Sequence, residues 1–194
     1  MEDHNPKRYL GDERLYASLC IIGFFLAYLF IGLSIASAPW FRWTKHALSD
    51  LGHALRPETA LYFNFGLSIS GLLIAIYAVT SLRRCSKYAG LTLTASAFSL
   101  QLVAVFDEIY GDVHTFVSEA FFILLLTSTL TYAIEKRSLI ACLSFMIEIG
   151  AWLSYWIRLY NAGIAVPEII SVTAAAVWIF HSAIETLLKK YVPQ

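Results

Sequence analysis

The chain has 194 residues, of which 58% are hydrophobic and only 14% charged, at a mean hydropathy of +0.64, where a soluble domain is about one-quarter charged. Fourteen basic and fourteen acidic residues cancel to a net charge of zero, and no run of like charge offers a footprint for DNA or RNA. These quantities argue against a soluble enzyme and against nucleic-acid partners, and predict one all-α membrane domain over 1–194 with no length left for a second one.

The first apolar run, Leu15 to Ala38, follows a charged head and ends in Ala36-Ser37-Ala38, as a secretory signal does. It is longer than the roughly 7–15 residues of a signal core, so it reads as an uncleaved first span. Further apolar windows fall at about 59–82, 88–106, 114–134, 139–160 and 167–188. Each approaches the ~20 residues that a helix rising ~1.5 Å per residue needs to cross ~30 Å of hydrocarbon. The windows are continuous rather than alternating, which favours helices over a barrel. The expectation is a bundle of six transmembrane helices.

Between the first two spans, Trp40 to Pro57 reads as a short amphipathic helix, capped by Thr44 and stopped by Pro57. At helical spacing Trp43, His46, Asp50 and His53 share one stripe, and Ala47, Leu48, Leu51, Ala54 and Leu55 share the other. Such a helix lies along the membrane surface. Its polar stripe faces either solvent or a site in the bundle. In the second span, Gly66 and Ser70, with Ser68 and Gly71, predict a close helix neighbour.

A second polar cluster follows the third span: Asp107, Glu108, Asp112 and His114, with Glu119 about five residues into the fourth. The two clusters together supply carboxylates and imidazoles suited to acid–base work or a metal, although no HExxH or CxxC spacing is present. Deeper in the membrane, Glu148 in the fifth span and His181 in the sixth fall at similar depth and are expected to pair, as structural glue or as part of a proton path. Cys20 and Cys142 lie in apolar stretches and Cys85 beside Arg83 and Arg84, so no disulfide framework or cysteine-rich metal knot is expected.

Orientation follows from Lys and Arg. Ten of the fourteen (Lys7, Arg8, Arg14, Arg83, Arg84, Lys87, Lys136, Arg137, Lys189 and Lys190) fall on the side of the termini. Both termini are therefore expected in the cytoplasm, with the two polar clusters on the outer face of the cell membrane.

The element Ala47-Leu48-Ser49-Asp50-Leu51-Gly52-His53, followed by Arg56-Pro57-Glu58 and Leu61-Tyr62-Phe63-Asn64-Phe65-Gly66-Leu67, resembles the prokaryotic domain-of-unknown-function family 998. More distantly it resembles the Frag-type six-span proteins, which include the damage-regulated autophagy modulators and the Golgi proteins that remodel the lipid of GPI anchors. The resemblance implies the six-helix fold and marks Ser49, Asp50, Glu58 and His114 as matching positions, without supplying a reaction or a cofactor. A weaker likeness, to intramembrane zinc hydrolases of the ceramidase type, would draw on Ser49, Asp50, His53, His114 and His181. The late HxxxH pair of those proteins is here His181-x-x-x-Glu185.

Two classes of function follow. One is a lipid-binding or lipid-modifying protein with membrane lipid as its partner, whose site opens at the outer leaflet. Asp50 and His114 would be its acid–base or metal-holding groups, Glu119 would support them, and His46, His53, Glu58 and Asp107 would line the site. The other is a small proton-coupled carrier using Glu119, Glu148 and His181 at successive depths. A membrane haem would need a second intramembrane histidine beside His181.

Overall fold

The computed structural model describes residues 6–189, so Lys190 lies outside the described residues, as do both chain ends. Six helices form: α1 (Pro6–Ala36), α2 (Pro57–Tyr77), α3 (Lys87–Val105), α4 (Asp112–Lys136), α5 (Leu139–Trp156) and α6 (Ala165–Leu188). All six are long and apolar enough to cross a membrane, and no strand occurs among the described residues. α1 is about 46 Å long at ~1.5 Å per residue and outruns the ~30 Å hydrocarbon core. Its apolar part begins at Gly11.

Local chemistry sets the boundaries. Pro57 stands at the start of α2, where its missing N–H costs nothing, with Glu58 in the same turn on the favourable end of the helix dipole. α2 runs on through a π turn (Ala78–Leu82) and Arg83–Cys85. Gly111, at φ 53°, turns the chain into α4 in a conformation that only glycine adopts without strain. Ser138 starts α5 by accepting the Ala141 N–H, and α5 stops at Trp156, four residues before the expected end, where Arg158 takes a left-handed conformation.

Consecutive helices pack in pairs, α6 returns to α1, and α4 also touches α6, so the six close into a ring. The small residues of α2 work as expected. Gly66 lies against Phe30 of α1, and Gly71 lies against the Ala97 carbonyl and Gln101 of α3, which lets the backbones approach closely. One end of the ring holds residues 37–56, 106–111 and 157–164, and is called the loop face below. The other is the termini end.

The first loop differs from the expected helix. It is helical only over a 3-10 turn, Ser49–Gly52, and Trp43, His46, Asp50 and His53 form no common stripe. Long-range contacts override the local propensity. Gly163 N–H donates to the Trp43 carbonyl (2.8 Å) and Ala165 N–H to the His46 carbonyl (3.0 Å), so the loop backbone is drawn onto the start of α6.

Candidate functional site

The Ser49–Gly52 turn is clamped from below. Leu51 is fully buried, Asn64 Nδ2 of α2 donates to the Gly52 carbonyl (2.8 Å), and a Cβ on Gly52 would come within 2.5 Å of Asn64 Oδ1. The Leu-Ser-Asp-Leu-Gly and Phe-Asn-Phe-Gly elements are thus two halves of one contact. The clamp turns Ser49 and Asp50 inward.

Three carboxyl groups converge there. Ser49 Oγ donates to Glu108 Oε1 (2.9 Å), and the Asp50 carboxyl lies beside that of Glu108. Burial first, and then the Asp50 carboxyl, push Glu108 up to about 7. Asp50 also accepts the Ala47 N–H (3.1 Å). The third group is Glu168, in the first turn of α6 and only 8% exposed. Its Oε2 accepts the Leu48 N–H at 2.7 Å, and no hydrogen-bond donor is aimed at its other oxygen among the described residues.

Below this cluster the ring is hollow. An upper cavity of about 60 Å³ is lined by Leu48, Ser49, Ser118 and Glu168 and otherwise by apolar side chains. A lower one of about 80 Å³ reaches Ile179 and is walled almost wholly by apolar groups. The two share Ile31, Leu67, Leu100, Phe121 and Val172. From Glu168 to Ile179 is eleven residues of α6, about 16 Å, close to half of a ~30 Å hydrocarbon core.

Most of the other expected site residues make contacts within the fold. Asp107 uses both oxygens on backbone, accepting from Ala54 N–H (3.0 Å) and Ile109 N–H (2.9 Å), and ties the first loop to the second. His114 holds the end of α3: its Nδ1 lies 2.7 Å from the Phe106 carbonyl. Nδ1 therefore carries the proton, and Nε2 accepts from Ser118 Oγ (3.3 Å). Asp50 and His114, expected to face one another, are joined by no hydrogen bond or ion pair. Asp50 meets Glu108 instead. His46 Nδ1 accepts the Arg42 N–H (3.0 Å), and its ring packs on Trp40 and Phe41. His53 Nδ1 accepts the Leu55 N–H (3.2 Å). Glu58 is exposed. Glu119 is exposed on the outside of α4, not behind the site, because its helical position points away from the ring.

Glu148 and His181 do not pair, which corrects the sequence expectation. Glu148 is buried and accepts from Thr129 Oγ (2.8 Å), which itself accepts from Trp178 Nε1 (2.9 Å). His181 is exposed and lies 3.9 Å from Glu185. The two residues stand on different faces of their helices, Glu148 buried within the bundle and His181 exposed. The residues named in the zinc-hydrolase likeness are not brought together either. His181 sits sixteen residues along α6, about 24 Å from its loop-face end, so it cannot join Ser49, Asp50, His53 and His114. No group of three or more His, Cys, Asp or Glu is arranged to hold a metal ion among the described residues.

The family model described as "Protein of unknown function (DUF998)" matches residues 21–185. The chain belongs to that family. No curated protein and no solved structure matches it. The matched region takes in all three loops of the loop face and the whole cavity wall. Glu168 is the member of the site that sequence reasoning passed over. An acid in the first turn of a span reads as a solvated helix-dipole partner, and its only distinguishing signal was lying on the same face as the Asp50 and Glu108 clusters.

Proposed function

We propose that this multi-pass membrane protein binds a lipid from the leaflet next to the loop face, with the head at the Asp50–Glu108–Glu168 cluster and a hydrocarbon chain in the hollow of the ring. The observation that carries the reading is the stacking of a carboxyl cluster directly over an apolar cavity about one leaflet deep. Such a void in the core of a soluble protein would be filled or dry; in a membrane, chains of matching polarity and length surround it. Tyr28 supports a sideways route. It lines the lower cavity, is exposed at the bundle surface, and bonds Thr173 across the α1–α6 seam at 3.0 Å. If the bound lipid is also modified, the Asp50–Glu108 pair is the acid–base candidate, because Glu108, pushed up to about 7 by burial and by the Asp50 carboxyl, can hold and release a proton near neutral pH.

The test is native mass spectrometry of the purified chain in a gentle detergent. Retained lipid, released by Val172→Trp and by Leu67→Trp, supports the reading. The absence of any retained lipid, or retention indifferent to both substitutions, overturns it. The same carboxyl pair favours a second reading, a proton-coupled carrier. Proton flux in proteoliposomes that disappears in Asp50→Asn would support that instead. By the distribution of Lys and Arg, the loop face is assigned to the outside of the cell membrane. A Cys introduced at Gly111 should then react with an impermeant maleimide in intact cells.

A further inference from the structure

The hydrogen-bonding groups around the upper cavity are unevenly spent. Each donor there already has an acceptor. Leu48 N–H is given to Glu168 Oε2 (2.7 Å), Ser49 O–H to Glu108 Oε1 (2.9 Å), and Ser118 O–H to His114 Nε2 (3.3 Å). The last assignment follows from the His114 Nδ1 contact with the Phe106 carbonyl, which leaves Nε2 as an acceptor only. The nearby cation, Arg56, has its guanidinium 3.7 Å over the Trp40 ring and interacts with Glu108.

What remains is acceptor capacity. Glu168 is more than nine-tenths buried, lines the cavity, and has one carboxyl oxygen with no donor aimed at it among the described residues. One turn further along α6, the Ser171 hydroxyl is buried without a partner but does not line the cavity. A carboxyl group that lines the cavity with one oxygen lacking a protein donor leaves an acceptor for the occupant to satisfy, so an occupant that brings its own donor is favoured. A phosphate or carboxylate head would bring only acceptors and negative charge to a site already holding three carboxyls, and would find no free donor.

We infer that the cavity selects a lipid whose head donates hydrogen bonds and bears no net negative charge, a hydroxyl or an amine, and discriminates against phosphate- and carboxylate-headed lipids. This rests on the lipid-binding reading above, and the experiment separates the two. Four photoactivatable probes with the same alkyl chain and different heads (a glycerol monoester, a primary amine, a carboxylate and a phosphate monoester) are cross-linked to the full chain in neutral-lipid vesicles. Labelled peptides are then mapped.

The expected result is labelling of cavity-lining peptides of α2, α3 and α6 by the glycerol and amine probes, at least about tenfold above the other two, a ratio equivalent to ~1.4 kcal/mol. Labelling by both should be lost in Val172→Trp or Leu67→Trp. In Glu168→Gln, which keeps the shape of the carboxyl but supplies a donor and removes a charge, the ratio should fall towards one, through a gain for the carboxylate and phosphate probes. Equal cavity labelling by all four heads in the unsubstituted chain, or a ratio unchanged by Glu168→Gln, overturns the head-group inference and leaves lipid binding standing. Failure of every probe to label the cavity, or labelling that neither tryptophan blocks, overturns lipid binding itself.

Discussion

At the termini end, the buried Glu13 lies between Arg84 (3.7 Å) and Lys189 (3.5 Å), and Glu135 accepts the Tyr88 and Ala89 N–H groups at the start of α3 (3.1 Å each). At the loop face, Asp50 and Glu108 meet each other, and Glu168 takes one backbone N–H. The first set is matched by cations and a helix N-terminus. In the second set Asp50 lies beside Glu108, Glu168 keeps one oxygen without a donor, and the cluster opens onto a hollow. Each end holds a buried glutamate, Glu13 at one and Glu168 at the other. The partners differ, and partners separate a carboxylate that closes a bundle from one available to a ligand.

Close backbone approach is common to both ends, so the largest effects should not distinguish them. A Cβ on Gly163 would lie 2.6 Å from the His46 carbonyl oxygen, and one on Gly90 would lie 2.4 Å from Arg83 Cα. Gly163→Ala and Gly90→Ala should each cost about 3 kcal/mol, near the upper end for overpacking, read as a drop in detergent melting temperature. If one is tolerated, that end is held less rigidly than the packing implies.

Removing a charge should act with opposite sign at the two ends. Glu13→Gln leaves Arg84 and Lys189 without their shared partner and should destabilise by about 1 kcal/mol, since both cations are half-exposed and screened. Glu108→Gln should stabilise the fold at pH 8. Glu108 has a folded-state pKa of about 7, above the ordinary 4.5, so the folded chain holds the extra proton between those values. The stability that this proton contributes is full below about pH 4.5 and is lost as pH rises through 7. Melts should therefore fall by roughly 1 kcal/mol across that window once solvent screening is allowed for, and Glu108→Gln should flatten the slope. A wild-type curve that rises with pH over that interval would break the contrast.

The smallest effect is expected where the sequence placed an intramembrane pair. His181→Ala should change stability by less than about 0.5 kcal/mol, as exposed substitutions do, whereas Glu148→Leu should cost about 1 kcal/mol by removing the buried Thr129–Glu148 hydrogen bond, with the Thr129 hydroxyl falling back on the Leu125 carbonyl (3.1 Å). Equal losses in the two variants would restore a link between them that the geometry denies.

The amino-acid sequence by itself determined the six crossings, their approximate limits, the tight packing of α2 and the gathering of acidic groups at one end. These follow from properties summed along the chain, namely hydrocarbon thickness, helical rise and side-chain size, and such sums need no knowledge of neighbours. The tertiary structure alone decided which polar groups meet. It replaced an amphipathic helix with the clamped Ser49–Gly52 turn, separated His181 from Glu148, gave Asp50 the Glu108 carboxyl in place of His114, and brought in Glu168 from 118 positions beyond Asp50. Depth in a membrane can be counted from residue numbers. The azimuth of a helix within a ring is set by the helices on either side, and a hydrogen-bond partner depends on azimuth as much as on depth.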